Sequence, residues 1–354
     1  MEQIDQRPLI ALTMGDIAGI GPEIIAKAWG ESTLRSLAKP FVIGSRAILE
    51  RAIRLVDSGV EVQTIANPSE ARSSSNRIPC LDPAPDADWS DPPVGRVDSR
   101  AGRSAYLYLT TAIDLALSGS IDAITTLPLN KETLHAGGIA YPGHTEILAE
   151  RCKAPEHAMM LYLGPPVSRG DAGLGVVHAT LHAPLSYVPK MLTQEGIYQK
   201  ILLADQSMRA LTGGRKPRVA VAGLNPHAGE NGLFGDEEIR LIAPAIATAR
   251  GEGIDVNGPI AADTLFYRAI NGEYDAVVAM YHDQGHVALK TIGFRHAVNV
   301  TLGLPIVRTS VAHGTAYDIA WKGIAETFSL IEAVRVASRI VLGRRAETKA
   351  AKGV

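Results

Sequence analysis

Short apolar runs alternate with amphipathic stretches along almost the whole chain, and this alternation limits the possible folds more than any other feature. Six runs predict buried strands: 9–14, 41–44, 122–126, 176–180, 218–222 and 275–281. Five stretches have helical spacing: 22–29, 101–118, 194–211, 236–250 and 328–342. Parallel strands must be joined by crossover segments, which are usually helices, so this order predicts an α/β fold with mostly parallel sheet.

The length of 354 residues predicts two domains. A chain of this size buries a sufficient core without disulfides or structural metals. One stretch, 67–98, is rich in Pro, Ser and Asp and has no hydrophobic period. We therefore expect a surface connection there.

Charge, cysteine content and apolar run length exclude several classes of protein. Lys and Arg number 35 and Asp and Glu 37, for a formal charge of −2, so a nucleic-acid partner is not expected. The two cysteines, Cys80 and Cys152, cannot form a disulfide framework and favour a reducing, cytoplasmic location. No apolar run reaches the roughly 18 residues of a membrane-spanning helix, so no membrane partner is expected.

Several of the ten histidines lie in short polar strings directly after predicted strands. His182, His227 and His282 each follow such a strand, and parallel strands end at one edge of their sheet. Three neutral imidazoles at that edge could hold a catalytic divalent metal. The alternative is that each one caps a turn or makes a core hydrogen bond. We expect this structural role for His135, His157, His178 and His296, and we leave both interpretations open for His286.

Other polar residues near the predicted strands could bind an anion. Lys290, Asn299 and Arg308 could form an anion clamp, with solvated surface charge as the alternative. Arg308 fits that alternative worst, because it lies in the apolar run LPIVRTSV and a buried charge needs a partner. Asp263, in GPIAADTLF, could cap a helix or face the histidines.

The string GDIAGIGPE follows a strand and opens a helix, as an anion-binding loop would. However, Ile24 stands where a GxGxxG motif needs glycine, and no Gly-Lys-Ser/Thr is present. Neither the dinucleotide fingerprint nor the P-loop is therefore met.

Eight ordered strings carry a family resemblance that covers roughly residues 9–342: TMGDIAGIGPE, TLPLNKE, YPGHTEILAE, LNPHAGENGLFGDEE, GPIAADTLF, MYHDQGHVALK, NVTLGLPIVRTS and HGTAYDIA. Together they resemble the 4-hydroxythreonine-4-phosphate dehydrogenase (PdxA) family, including its D-threonate and D-erythronate phosphate and dihydrodiol dehydrogenase relatives. The resemblance implies an isocitrate/isopropylmalate dehydrogenase-like fold with two α/β/α domains and an active site in the cleft between them. Residues 1–128 with 300–354 would form the NAD-side domain, and 129–299 the domain for metal, substrate and dimerisation.

The resemblance also implies roles for individual residues. The three metal ligands would be His182, His227 and His282, contributed across two subunits of a homodimer, with Zn, or alternatively Mg, Mn, Co or Ni, as the metal. The anionic small-molecule substrate would be bound by His144, Thr145, Lys290, Asn299 and Arg308. Asp263 and Lys290 would be catalytic. The cofactor NAD would contact His313, Gly314, Thr315 and Asp318.

The implied reaction is NAD-dependent oxidation of a secondary alcohol of 4-phosphooxy-L-threonine or a related phosphorylated hydroxy acid, followed by decarboxylation, as in pyridoxine biosynthesis. With a histidine at position 286, the chain resembles the relatives that act on D-threonate or D-erythronate phosphates or on aromatic cis-dihydrodiol carboxylates. The alternatives are therefore a dihydrodiol dehydrogenase or a non-catalytic binding protein on the same scaffold. Ile17, Ala312 and Trp321 depart from the Pro, Asp and Gly expected from the family, and the last two flank the implied NAD loop.

Overall fold

The computed structural model describes residues 5–89 and 91–351. Its strands are β1 Leu9–Thr13, β2 Lys39–Ile43, β3 Glu61–Thr64, β4 Arg77–Leu81, β5 Ala123–Thr126, β6 Ala158–Leu163, β7 Leu174–His178, β8 Val219–Ala222, β9 Val256–Ile260, β10 Ala276–Ala279, β11 Val298–Leu302 and β12 Val307–Val311. Its α-helices are α1 Gly21–Trp29, α2 Ser32–Leu37, α3 Arg46–Val56, α4 Ser99–Leu117, α5 Lys131–Ala136, α6 His144–Arg151, α7 Val188–Met191, α8 Gln194–Arg209, α9 Ala243–Gly251, α10 Ala262–Ile270, α11 His282–Gly293 and α12 Phe328–Ala351.

The chain divides into two compact units. Unit 1 consists of Met1–Pro155 and Leu304–Val341. Its strands lie in the order β3-β4-β2-β1-β5-β12, and all neighbouring pairs are parallel. The central strands are short and apolar on both faces, as expected for sheet covered by helices on each side.

Unit 2 consists of Glu156–Gly303 and Leu342–Val354. Its strands lie in the order β11-β6-β7-β10-β8-β9. The strand β6 is antiparallel to both β11 and β7, whereas β7, β10, β8 and β9 are mutually parallel. The four parallel strands therefore end at one carboxyl edge, called here the unit 2 edge.

The predicted α/β class is confirmed, and most of the predicted elements are present within a few residues of their expected bounds. The prediction that 67–98 is an unstructured surface connection was wrong in part, because β4 lies within it, between β3 and β2. Ile78 and Cys80 are fully buried in that strand. Pro79 separates them and hides the strand pattern.

The boundaries of the two compact units differ from those of the domains that the resemblance implies. Helices α5 and α6, implied to belong with 129–299, both pack against α4 and lie in unit 1. Of the described helices, none is long and apolar enough to cross a membrane.

Candidate functional site

The four parallel strands of unit 2 bring four of the implied site residues to the unit 2 edge. His182 follows β7, His282 follows β10, His227 follows β8 and Asp263 follows β9. Side-chain hydrogen bonds hold these strand ends together. Thr180 Oγ1 donates to Met280 O at 2.8 Å, and Gln284 Nε2 donates to Gly223 O at 2.8 Å.

His182 and His282 lie close together at this edge. Their ring centroids are 5.7 Å apart. The Nδ1 of His282 lies 2.6 Å from Asp283 Oδ1, which leaves Nε2 as the nitrogen for another ligand. A carboxylate on the second ring nitrogen is the usual way to fix the tautomer of a metal-binding histidine.

Two further histidines pack behind His282. The ring of His286 stacks on that of His282, with 3.8 Å between centroids and 10° between planes. His286 Nδ1 lies 3.1 Å from Nε2 of His178, which is 1% exposed. Burial, together with neighbouring imidazoles, lowers the pKa of His178 to about 3 and that of His286 to about 4. Both rings are therefore neutral at pH 7.

His227 lies in a turn with unusual backbone geometry. From His227 to Asn231, five consecutive residues have positive φ, and four of them are not glycine. Such residues cost on the order of 1 kcal/mol each, so the surrounding contacts must hold the turn. The buried Glu238 does this: its Oε1 accepts from Leu224 N and Asn225 N, both at 2.7 Å.

The donor set suits a zinc-type metal, but one chain provides a pair of imidazoles rather than a triad. Within residues 5–89 and 91–351, no three His, Cys, Asp or Glu side chains are arranged to hold a metal ion. His227 is exposed and its ring contacts Phe234, at 6.1 Å between centroids. A site with three imidazoles would therefore need a ligand from beyond the His182–His282 pair.

The remaining unit 2 candidates lie on three different elements. Asp263 is in the exposed first turn of α10, whose N-cap is Ala261, so the capping interpretation was wrong. Lys290 lies on α11 one turn after His286, with its Nζ 5.8 Å from the Phe294 ring. Asn299 is on β11, and among the described residues its buried Oδ1 has no hydrogen-bond partner.

Unit 1 buries the implied anion-binding arginine. Arg308, on β12, is 2% exposed, and its Nη2 donates to Thr126 Oγ1 at 2.6 Å. Burial lowers its pKa to about 9. His144 and Thr145 begin α6, and burial, with the charge of Arg308, holds the pKa of His144 well below its usual value. The structure thus brings His144 near Arg308 in a poorly solvated environment, where an anion interacts strongly with a guanidinium.

The implied NAD loop and the GDIAGIGPE string pack together in unit 1. Ile20 N donates to Thr315 O at 3.1 Å, and Tyr317 OH donates to Asp16 Oδ2 at 2.5 Å. The string is buried throughout residues 14–26, and a Cβ on Gly21 would lie 2.3 Å from Met14 O. Its glycines therefore serve internal packing, and the interpretation as an anion-binding loop was wrong.

Part of the implied NAD loop is exposed to solvent. Gly314 is exposed, and a Cβ built on it meets no atom within 4 Å. His313 and Asp318 lie in the same loop, His313 partly exposed and Asp318 exposed. An exposed loop held from beneath lets a ligand approach its backbone, so these residues fit a dinucleotide.

Sequence reasoning missed the residues that support the site rather than face it. Glu238 and Gln284 fix the histidine turns through backbone hydrogen bonds. Both residues lie within strings that carry the family resemblance, LNPHAGENGLFGDEE and MYHDQGHVALK. Their place in these strings was the sequence signal that could have identified them. Their partners are distant in sequence, so only the fold identifies the contacts.

The buried histidines predict an acid-sensitive fold. An unfolded chain protonates His178 below pH 6.5, whereas the folded protein resists protonation until about pH 3. The free energy of unfolding is therefore at its full value above pH 6.5, and it decreases as the pH falls because only the unfolded chain binds a proton at His178. Between pH 6.5 and 5 we expect a loss of about 2 kcal/mol from this group. Urea unfolding at several pH values, with a chelator present, measures this loss. In His178→Asn the free energy of unfolding should depend less on pH. An unchanged pH dependence in that variant would contradict the prediction.

Comparisons with known proteins identify the family of this chain. Residues 36–337 match the profile of the family described as pyridoxal phosphate biosynthetic protein PdxA. The chain is 46% identical over 341 residues to D-threonate 4-phosphate dehydrogenase of Cupriavidus necator, covering 96% of this chain and 99% of that protein.

Two solved structures are also similar. A 4-hydroxythreonine-4-phosphate dehydrogenase from Klebsiella pneumoniae matches with a TM-score of 0.84 and 44% identity, covering 94% of this chain and 99% of that one. A terephthalate 1,2-cis-dihydrodiol dehydrogenase from Burkholderia xenovorans matches with a TM-score of 0.63 and 29% identity, covering 93% and 97%.

Proposed function

We propose that this chain, which belongs to the PdxA family, is a metal- and NAD-dependent dehydrogenase of a phosphorylated hydroxy acid. The substrate class is a four-carbon acid 4-phosphate such as D-threonate 4-phosphate or 4-hydroxythreonine 4-phosphate, the compounds that the similar dehydrogenases are named for. The observation that carries the proposal is the His182–His282 pair at the unit 2 edge, in a family of dehydrogenases.

When bound, a divalent metal would lower the pKa of the substrate hydroxyl, and NAD would accept the hydride. The chain's own part begins with His182 and His282, whose ring centroids lie 5.7 Å apart. Asp283 Oδ1 holds His282 Nδ1, so the ring cannot rotate freely. The ring of His286 stacks on the ring of His282 and covers that face.

Asp263 and Lys290 are proposed to handle protons. Asp263 is exposed at the end of β9, where a carboxylate can accept a proton from a substrate hydroxyl. Lys290 can donate to the negative charge that develops on the substrate as its carboxylate is lost as carbon dioxide in a following decarboxylation. Asn299 Oδ1 is proposed to accept a hydrogen bond from a substrate hydroxyl, because this buried oxygen has no partner among the described residues.

In unit 1, the phosphate end is assigned to Arg308, with His144 and Thr145. The guanidinium is buried, and burial strengthens its attraction for a phosphate. The loop of His313, Gly314, Thr315 and Asp318 is assigned to NAD, because Gly314 and Asp318 are exposed while Asp16 and Ile20 hold the loop through Tyr317 and the buried Thr315.

A homodimer is proposed to supply the third metal ligand. Exposed apolar side chains flank each histidine turn: Leu185 and Tyr187 after His182, Phe234 after His227, and Val287 after His282. Their exposures run from 48% to 67%. Apolar surface of this kind is buried in a stable dimer.

The function is tested by NADH absorbance with a small set of substrates, with and without divalent metal. We expect metal-dependent NADH formation with a four-carbon acid 4-phosphate and none with terephthalate 1,2-cis-dihydrodiol. Turnover of only the dihydrodiol would replace the substrate assignment. Tight substrate binding by metal-free protein, with no NADH from any alcohol, would instead indicate a non-catalytic binding protein.

A further inference from the structure

Trp321 occupies a backbone position that a large side chain rarely adopts. Its φ is +61°, in the left-handed region that favours glycine. Glycine is also the residue that the family resemblance leads one to expect here. A tryptophan at this position is strained, so its side chain must make contacts that offset the strain.

The indole of Trp321 joins three segments of unit 1. Its Nε1 donates to Ile17 O at 3.1 Å, in the turn that follows β1. On its face, the Arg51 guanidinium carbon of α3 lies 4.4 Å from the ring centroid, a cation–π contact. Arg51 is itself held by Asp91, at 3.2 Å. The loop 313–321 is thereby fixed to both the turn and the helix.

The position of this contact along the loop gives it a particular effect. The first half of the loop is fixed by Thr315 O and by Tyr317, which bonds Asp16. After the loop, the Gly323 and Ala325 amides donate to Glu23 on α1. Trp321 holds the stretch between these anchors, residues 318–322. Of the residues assigned to NAD, that stretch contains the exposed Asp318, whereas His313 and Gly314 lie before the first anchor.

We infer that Trp321 is a positioning residue that fixes the loop 313–321 for dinucleotide binding, through its hydrogen bond to Ile17 and its contact with Arg51. This inference rests on the proposed NAD role of the loop. The side chain of Trp321 contacts Ile17 and Arg51. It reduces the conformational freedom that the loop would otherwise lose when a ligand binds.

Trp321→Gly separates positioning from a general structural role. Glycine prefers the positive φ at this position, so relief of backbone strain offsets part of the lost contacts in the overall fold. The loop, however, loses its tie to Ile17 and Arg51. Loop order should therefore fall while the thermal midpoint changes little.

The test uses the full chain and two readouts. Calorimetric titration with NAD should show the dissociation constant rising about tenfold in Trp321→Gly, as expected for loss of one hydrogen bond and one cation–π contact. Trp321→Phe keeps the ring for Arg51 and loses only the donor, so its dissociation constant should rise about threefold. The kcat should change by less than about twofold in both variants, since neither changes a residue that touches the reacting atoms.

Hydrogen exchange of the amides of 313–320 is the second readout, and it needs no ligand. We expect faster exchange there in Trp321→Gly and an unchanged rate in β1 and β5. Unaltered exchange together with an NAD dissociation constant within twofold of the original protein would overturn the inference. If the original protein binds no dinucleotide, the proposed cofactor role fails. The exchange experiment then still decides whether Trp321 orders the loop.

Discussion

His227→Asn is expected to remove the bound metal and to lower turnover by at least about a thousandfold. Asparagine accepts the left-handed backbone that His227 adopts, at φ +53°, so the turn held by Glu238 should persist. What is lost is the proposed third imidazole, and we expect the two remaining donors not to retain a zinc-type ion. Metal content after dialysis and initial rates of NADH formation measure the two effects.

His135→Asn is the matched control. His135 is exposed near the end of α5 and belongs to unit 1, whereas the unit 2 edge is formed by strands of the other unit. Its replacement should change neither metal content nor turnover. If His227→Asn retained its metal and formed NADH at the original rate, His227 would not be a ligand, and the His182–His282 pair would need another partner.

Arg308→Met should raise the KM for a phosphorylated substrate by about 10- to 100-fold and change the KM for NAD by less than about twofold. The guanidinium is buried, and a hydrogen bond between charged groups is worth about 1.5–3 kcal/mol. Methionine fills much of the same volume, so the loss of charge is separated from the creation of a cavity. Initial rates with each substrate varied in turn provide both constants.

Arg240→Met is the control, because Arg240 is an exposed surface arginine paired with Asp236. It should alter neither constant. Equal increases in the two KM values for Arg308→Met would refute a role specific to phosphate. An increase for NAD alone would place Arg308 at the dinucleotide.

The six strands that the sequence predicted are short apolar runs, and most of those it missed have a broken pattern; β6 was missed although its sequence AMMLYL is apolar throughout. The β1 and β10 runs are buried on both faces and were recognisable. By contrast, β4 contains Pro79, and β9 contains Gly258 and Pro259, residues typical of turns. Their place in the sheet depends on pairing with strands distant in sequence, as β9 pairs with β8.

The sequence also predicted only part of the candidate functional site. Strand-end histidines could be recognised from their position after apolar runs, and the resemblance supplied their roles. The contact of His286 with His178 could not be predicted, since β7 and α11 are about a hundred residues apart. The stacking of His286 on His282, by contrast, joins residues four apart on α11. Trp321 was visible as a departure from the family, but its contacts with Ile17 and Arg51 were not.

By itself, then, the sequence determined the α/β class, the family and the chemical types at the strand ends, because these depend on local periodicity and on short ordered strings. Only the tertiary structure decided which groups meet. It buried the GDIAGIG turn, placed Arg308 beside Thr126 and gathered a pair of imidazoles rather than a triad. The reason is that burial and side-chain contacts depend on strand order, and residues far apart in the chain set that order.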